Sequence, residues 1–342
     1  MKQEDPVAEN DVNNKFRSMK EIREELEDLY LNEETDFEIM QKYVSYLIAD
    51  ESDESKISAL KELEFYVHQI DNAKDFFTID HAFDTLLLCC NDSNSDIRLN
   101  AVHVIGSAVQ SNPAAQVEAL KGNILPNLLR LLSNPLETVG VKKKVIYTLS
   151  SLLRNFPRAQ IELWQLAGYH SLLDVLINKE NTMLQIKVVR LFADLIFERQ
   201  NIDKTHIDYK EKARQYSIVP LNTIIHTLGF CNEILFLLKD TALPDEVETV
   251  LNTLTIMRKI CPKDLSKDDL KSKLSILEKQ YIERKVEEEQ SGDDDGYFKL
   301  MYNLIKTVQK QYTLLDINIV DNNKSDANGP DPVYYEHWKS EL

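Results

Sequence analysis

The chain has 342 residues, of which 43% are hydrophobic, and a formal net charge of −17 at pH 7. Such an acidic surface argues against nucleic acid as a partner, because nucleic-acid binding depends on basic side chains that release counterions. No stretch approaches the roughly 20 apolar residues of a membrane span, so no membrane insertion is expected. Only 8 glycines and 10 prolines are present, which is typical of a helix-rich chain.

The first 34 residues are predicted to be a charged segment that is disordered in part. Residues 1–60 carry 17 acidic and 7 basic side chains, and within them residues 15–31 have the apolar spacing of a helix. Thr35 is a predicted N-cap for a further helix, because a threonine side chain accepts a hydrogen bond from the first turn. We expect residues 35–75 to close this end of the fold as an N-terminal helical cap.

Residues 76–262 are predicted to hold four helical repeats. Copies of one apolar pattern lie 42, 44, 43 and 62 residues apart. The copies begin at Ala59, Ala101, Val145, Val188 and Val250. The last interval is longer because the polar residues 201–215 form a loop insertion or an extra helix. A helical repeat of about 40 residues is typical of solenoids, which bind partners with their surfaces.

Two more helices are predicted after the repeats, over residues 265–286 and 297–315. Together they form a C-terminal helical cap at 263–316. The acidic residues between them, 287–296, are predicted to be a linker. Residues 317–342 are predicted to be a flexible tail.

The sequence lacks the motifs of the common catalytic classes. The P-loop, dinucleotide-binding, nucleophile-elbow and zinc-protease patterns are absent. Its four cysteines form no C-x-x-C, and no histidine spacing supports a metal site. No catalytic residue, metal or cofactor is therefore expected, and the chain is predicted not to be an enzyme. A disulfide framework is not expected either.

The segment Y-T-L-S-S-L-L-R, from Tyr147 to Arg154, resembles the third helix of an armadillo repeat. The predicted fold class is therefore an all-α, armadillo-type α-solenoid with helical caps at both ends. In armadillo folds the positions of Tyr147, Ser151 and Arg154 line a concave groove. The matching positions predict these partner-binding residues: Lys61, Phe65, His103, Ser107, Gln110, Tyr147, Ser151, Arg154, Arg190, Asp194 and Asn252. The alternative is that they are only the solvent sides of amphipathic helices.

One position in each copy holds a small residue, which allows neighbouring helices to approach closely. Gly106, Ser150 and Ala193 occupy this position in three copies. Glu64 occupies it in the first copy. This departure predicts that Glu64 marks an exposed end of the array.

A more specific resemblance rests on two motifs. The first is E-F-Y-V-H-Q-I-D-N-A-K-D-F, from Glu64 to Phe76, and the second is G-S-A-V-Q-S-N-P-A-A-Q, from Gly106 to Gln116. Both resemble the armadillo-type nucleotide exchange factors of the 70-kDa heat-shock chaperones, over roughly residues 35–262. The resemblance implies a monomeric co-chaperone, without a cofactor, that binds the chaperone's ATPase domain and promotes ADP release. The alternative is an armadillo-type scaffold or peptide-binding adaptor without exchange activity.

The last four residues, K-S-E-L, differ at one position from the K-D-E-L retrieval signal of the endoplasmic reticulum. They are Lys339, Ser340, Glu341 and Leu342. Together with the resemblance they imply the lumenal branch of that family, whose chaperone is BiP, with a role in protein folding and transport. No leader is visible in the sequence, so the cytosol is the alternative location.

Overall fold

The structure is a computed structural model. It describes residues 18–30, 34–49, 52–179, 181–205, 207–239, 242–261, 268–291 and 296–322. Every regular element in these ranges is a helix, as the sequence predicts. Most of the predicted tail, with the K-S-E-L residues, and the first 17 residues lie outside the described ranges.

From Ile70 to Gln200, two short helices are followed by one longer helix in each repeat. In chain order the helices are α1 Met19–Tyr30, α2 Asp36–Ile48, α3 Asp53–Val67, α4 Ile70–Phe76, α5 Ala82–Cys89, α6 Ser95–Val109, α7 Pro113–Lys121, α8 Ile124–Ser133, α9 Val139–Leu153, α10 Pro157–Gln165, α11 Gly168–Ile177, α12 Thr182–Gln200, α13 Tyr209–Ile218, α14 Leu221–Thr227, α15 Phe230–Glu233, a 3-10 helix Ile234–Leu237, α16 Pro244–Met257, α17 Asp268–Ser291 and α18 Tyr297–Asn322. The longest helix of each repeat is its last, and we call α3, α6, α9, α12 and α16 the third helices.

A left-handed turn recurs between the first and second helices of the repeats. The residues before the second helices are His81, Asn123, Ala167 and Gly229, with φ values of 55°, 57°, 55° and 74°. Glycine and asparagine adopt this conformation readily, whereas histidine and alanine do so at a cost. The left-handed backbone conformation is therefore the same in all four turns, although the residue type differs.

The chain forms two compact units, Met1–Gly122 and Asn123–Leu342. In the first unit α2 packs on α3, and α3 packs on α6. Fully buried leucine and isoleucine side chains fill the space between them, among them Leu60, Leu63 and Ile105. Thr35 caps α2 as predicted, since its side chain accepts from the backbone N–H of Glu38 while the Glu38 carboxylate accepts from that of Thr35.

In the second unit α12 packs on both α9 and α16. The ring of Phe192 on α12 lies 4.6 Å from that of Phe230 and 6.0 Å from that of Tyr169, all three buried. Helices α17 and α18 form an antiparallel pair next to α16. The buried Glu288 of α17 joins the pair, because its carboxylate accepts from the backbone N–H groups of Phe298 and Lys299, at 3.0 and 3.2 Å.

Three element boundaries differ from the prediction. The insertion at 201–215 contains a helix, α13, which extends to Ile218. Helix α17 continues to Ser291, because the glutamates after Val286 are good helix formers and do not make a linker. Helix α18 continues to Asn322.

The expectation that the cysteines form no disulfide is wrong for one pair. Cys231, in α15, is bonded to Cys261, just after α16, with a Cα–Cα distance of 6.0 Å. The two residues are 30 positions apart in the sequence. The 3-10 helix that follows α15 packs on α16, and this packing brings the two cysteines together. Cys89 and Cys90 are buried thiols outside this disulfide, and burial raises the pKa of the Cys89 thiol to about 11.

Within the described ranges, no single helix has both the length and the apolarity to cross a membrane. The segments Tyr209–Thr227 and Phe230–Leu237, which are bent relative to each other, are long and apolar enough only when they are counted as one span. Leu221, Ile225 and Phe230 of this pair are buried in the core of the second unit.

Opening the Cys231–Cys261 disulfide should destabilise the second unit. Closing a loop of this length lowers the entropy of the unfolded chain by an amount worth about 3–4 kcal/mol. Thermal unfolding with and without dithiothreitol should therefore show a lower midpoint in the reductant. The Cys231→Ser/Cys261→Ser variant is the control, since dithiothreitol should not shift its midpoint. Equal midpoints for oxidised and reduced wild type would argue against the bond.

Candidate partner-binding surface

In the first unit, one carboxylate joins α3 to α6. Oε1 of Glu64 accepts a hydrogen bond from the buried hydroxyl of Ser107 at 2.9 Å. Nε2 of His68 lies 2.6 Å from the same oxygen, and Nε2 of His103 lies 3.4 Å from it. The side chain of Glu64 is only 20% exposed. The prediction that Glu64 marks an exposed end is wrong, because α6 packs over it and supplies two polar partners.

The predicted binding residues of the first unit differ in how they face solvent. Phe65 is 63% exposed, and Lys61 and Gln110 are also exposed. His103 is half-buried, and Ser107 is only 3% exposed. A partner on this surface would therefore meet Phe65 and Lys61, while Ser107 holds Glu64 in place.

Two predicted binding residues of the second unit bind each other. Both Nε and Nη2 of Arg154 donate to Oδ2 of Asp194, and the Nε–Oδ2 distance is 2.8 Å. Arg154 follows the end of α9 and Asp194 lies on α12, so the pair joins two third helices. Each side chain remains about two-fifths exposed, at 41% and 38%. The pair lies at the surface, where its interaction is worth little to stability.

The other predicted residues of the second unit include exposed and buried side chains. Arg190 is exposed, and its Nη2 donates to Oγ1 of Thr249 on α16 at 2.9 Å. Asn252 is exposed and Tyr147 is half-buried. Ser151 is only 4% exposed, because it lies between packed third helices. Tyr147, Arg190 and Asn252 are therefore the groups that a partner can reach.

A buried polar network at the end of α12 was not predicted from the sequence. Gln160 of α10 is fully buried, and its Nε2 donates to the Glu198 carboxylate and to the Leu153 carbonyl. Arg199 donates to Oε1 of Gln160 at 2.7 Å and to the carbonyls of Tyr216 and Val219 at 2.9 and 2.8 Å. The network joins α12 to the helices around the insertion. The only sequence signal for this network is that Gln160 and Gln116 occupy the same position in two copies of the repeat.

The described residues contain no group of three histidine, cysteine or acidic side chains placed to hold a metal ion. The surface of the third helices presents aromatic, cationic and amide groups. Tyrosine and arginine are enriched among the residues that dominate protein–protein interfaces.

Residues 72–313 match the family model described as the SIL1/FES1/HPBP1 C-terminal domain. The chain belongs to this family. Residues 1–76 match a second model, described as nucleotide exchange factor Fes1. The resemblance carried by the two motifs of the sequence is therefore confirmed.

Curated relatives in this family are similar over most of the chain. The nucleotide exchange factor SIL1 of Xenopus laevis is 37% identical over 299 residues, which are 86% of this chain and 64% of that protein. The SIL1 protein of Rattus norvegicus is 34% identical over 307 residues, with the same two coverages of 86% and 64%. The Hsp70 nucleotide exchange factor FES1 of Candida glabrata is 24% identical over 77% of this chain and 84% of its own length. This chain thus spans 64% of the length of the vertebrate relatives.

Solved structures similar to this chain are armadillo repeat proteins. One designed armadillo repeat protein matches with a TM-score of 0.53 at 13% identity, over 80% of this chain and 99% of its own. A computationally designed armadillo repeat protein for modular peptide recognition matches with a TM-score of 0.55 at 12% identity, with coverages of 80% and 99%. At this identity the likeness shows the fold alone, and it confirms the predicted all-α, armadillo-type solenoid.

Removing the Glu64 carboxylate should destabilise the first unit. Glu64→Ala leaves the buried hydroxyl of Ser107 without its acceptor and should cost about 1–3 kcal/mol. Urea unfolding measures the change. Glu62→Ala is a matched control on the exposed side of α3 and should stay within about 0.5 kcal/mol of wild type. If the two variants had equal midpoints, the Glu64 cluster would not contribute to stability.

Glu198 should make stability depend on pH. Burial raises its pKa. The hydrogen bonds from Asn155 and Gln160 and the charge of Arg199 lower the pKa, but the effect of burial is larger. The folded state therefore holds the proton more tightly than the unfolded chain, and the free energy of unfolding falls as pH rises through the raised pKa. Glu198→Gln cannot titrate.

In the variant the amide N–H₂ of residue 198 faces a donor, which lowers the absolute stability. The stability of the variant relative to wild type should nevertheless increase as pH rises from about 4.3, the ordinary pKa of a glutamate, through the raised pKa of Glu198. Urea unfolding of both proteins across this range measures the difference. A constant difference at all pH values would show that Glu198 keeps its ordinary pKa.

Proposed function

We propose that this chain is a nucleotide exchange factor for a 70-kDa heat-shock chaperone. The observation that carries the proposal is the family match over residues 72–313, with relatives that are named as exchange factors. In this role the chain binds the chaperone's ATPase domain and promotes ADP release. It does no chemistry on the nucleotide and needs no cofactor of its own.

The third helices supply the contacts in this proposal. Aromatic and arginine side chains dominate the binding energy of most protein interfaces. On the third helices such side chains reach solvent: Phe65 in the first unit, and Tyr147, Arg190 and Phe197 in the second. These four residues are the proposed anchors, and the polar side chains around them complete the surface.

Exchange requires a difference in affinity between two states of the chaperone. The factor must bind the nucleotide-free ATPase domain more tightly than the ADP-bound one. A 100-fold weakening of ADP binding corresponds to about 2.7 kcal/mol of differential interaction. By linkage, ADP must weaken the binding of the factor to the chaperone by the same 100-fold.

The proposed location is the lumen of the endoplasmic reticulum, where the partner is a BiP-type chaperone. Two features support it. The Cys231–Cys261 disulfide is typical of proteins in oxidising compartments. The K-S-E-L residues at 339–342 resemble a retrieval signal. The cytosol is the alternative location, and there the reducing glutathione pool would oppose the disulfide.

A scaffold or peptide-binding adaptor is the second candidate function. The designed armadillo protein built for modular peptide recognition shares the fold, although not the sequence. An adaptor would bind an extended peptide regardless of nucleotide. An exchange factor would be released from its chaperone by ATP, so a pull-down with and without ATP distinguishes the two.

Adding this protein to a BiP-type chaperone loaded with fluorescent ADP should accelerate ADP release. Stopped-flow fluorescence measures the rate. Tyr147→Ala/Arg190→Ala should reduce the acceleration at least about 10-fold, because interface anchors are each worth about 1–2 kcal/mol or more.

The matched control is Tyr209→Ala/Arg214→Ala, which removes the same residue types from α13 and should behave as wild type. An unchanged rate of ADP release with wild type would refute the exchange proposal. Loss of activity in both double variants would instead refute the assignment of the anchors.

A further inference from the structure

Three cations lie together on the second unit of this acidic protein. Residues 97–200 carry 12 basic and 7 acidic side chains, although the net charge of the whole chain is −17. Lys143 lies on α9, and Lys187 and Arg190 lie one turn apart on α12, the helix that packs on α9. We call Lys143, Lys187 and Arg190 the basic cluster.

The cluster is held in place by the fold. Arg190 is fixed by its hydrogen bond to Thr249 of α16. Lys187 is half-buried, so its aliphatic stem packs between helices, while Lys143 is exposed. Lys143 and Tyr147 lie four positions apart on α9, so they share one face of that helix. The cluster therefore includes the proposed anchor Arg190 and adjoins the proposed anchor Tyr147.

The charges of the cluster repel one another. Burial lowers the pKa of Lys187, and the positive charges of Lys143 and Arg190 lower it further. In the ranges that the structure describes, no carboxylate forms an ion pair with Lys143 or Lys187. Neighbouring like charges lower stability, and carboxylates of a partner relieve this repulsion.

The carboxylates of α12, and Glu248 of α16, have other partners. Helix α9 has no acidic residue. On α12, Asp194 binds Arg154 and Glu198 binds Gln160. On α16, Glu248 accepts a hydrogen bond from the Tyr297 hydroxyl at 3.3 Å. The basic cluster is therefore open to carboxylates of another molecule.

We propose that the basic cluster docks an acidic surface of the chaperone's ATPase domain, with carboxylates of the partner placed between Lys143, Lys187 and Arg190. This inference rests on the proposed exchange function and adds the chemistry of the contact. Opposite charges steer two proteins together and raise the association rate, more strongly at low salt. The strongly negative surface elsewhere on this chain repels the same partner and so orients it.

A carbodiimide cross-linker tests the contact in the wild-type complex. It joins an amine to a carboxylate without a spacer, so it reports only pairs in direct contact. Mass spectrometry should find Lys143 or Lys187 joined to aspartate or glutamate of the nucleotide-free chaperone. Cross-links at other lysines alone would overturn the proposal, whatever the behaviour of the variants.

Charge removal tests the same contact by kinetics. Lys143→Gln/Lys187→Gln should slow association with the chaperone about 5- to 10-fold at low salt and flatten the dependence of that rate on salt. The control Lys204→Gln/Lys210→Gln loses two exposed lysines of the 201–218 segment and should associate as wild type. Circular dichroism checks that both variants are folded.

The outcomes separate the two proposals. Equal association rates for both variants and wild type would overturn the docking cluster. If wild type binds the chaperone through the cluster but leaves ADP release unchanged, the exchange function fails and the contact stands. If wild type does not bind at all, both fail. Displacement of the chaperone by a DNA duplex would assign the cluster to nucleic acid and overturn the acidic-protein assignment.

Discussion

Each third helix has to bury apolar side chains against helices on both of its sides, and this constraint shapes the rest of the molecule. In α9 the leucine, isoleucine and valine side chains from Val141 to Leu153 are buried, and α12 repeats the pattern. Only a narrow row of side chains on each third helix, which we call its stripe, then remains exposed to solvent. Phe65, Tyr147 and Arg190 lie on such stripes. The proposed anchors lie at these exposed positions, since a substitution at a buried position of the helix would disturb the core.

The stripes also carry the polar links between neighbouring third helices. Glu64 with Ser107 joins two helices of the first unit, and Arg154 with Asp194 joins two of the second. A side chain that looks like a binding residue can therefore serve the scaffold. The distinction follows from exposure: Ser107 is buried and holds Glu64, whereas Arg154 keeps part of its surface for a partner.

The sequence predicts what depends on local periodicity. The helical repeat, the third-helix pattern and the cap at Thr35 all follow from neighbours within a few positions, and the structure has them. It does not predict what depends on packing between helices. The Cys231–Cys261 bond joins positions 30 apart, and the Glu64 cluster needs α6 to lie over α3. The left-handed turn at Ala167 cannot be predicted from the sequence either, because alanine is not a residue that favours this conformation.

The central claim is that this surface recognises one nucleotide state of its partner over another. In the proposed function, side chains on the third helices supply affinity, but only a difference between two states of the ATPase domain supplies exchange. Isothermal titration of this protein into a BiP-type chaperone, first without nucleotide and then with saturating ADP, measures that difference directly. The account predicts that ADP weakens binding at least about 10-fold, which corresponds to about 1.4 kcal/mol. Equal affinity for the two forms would contradict it.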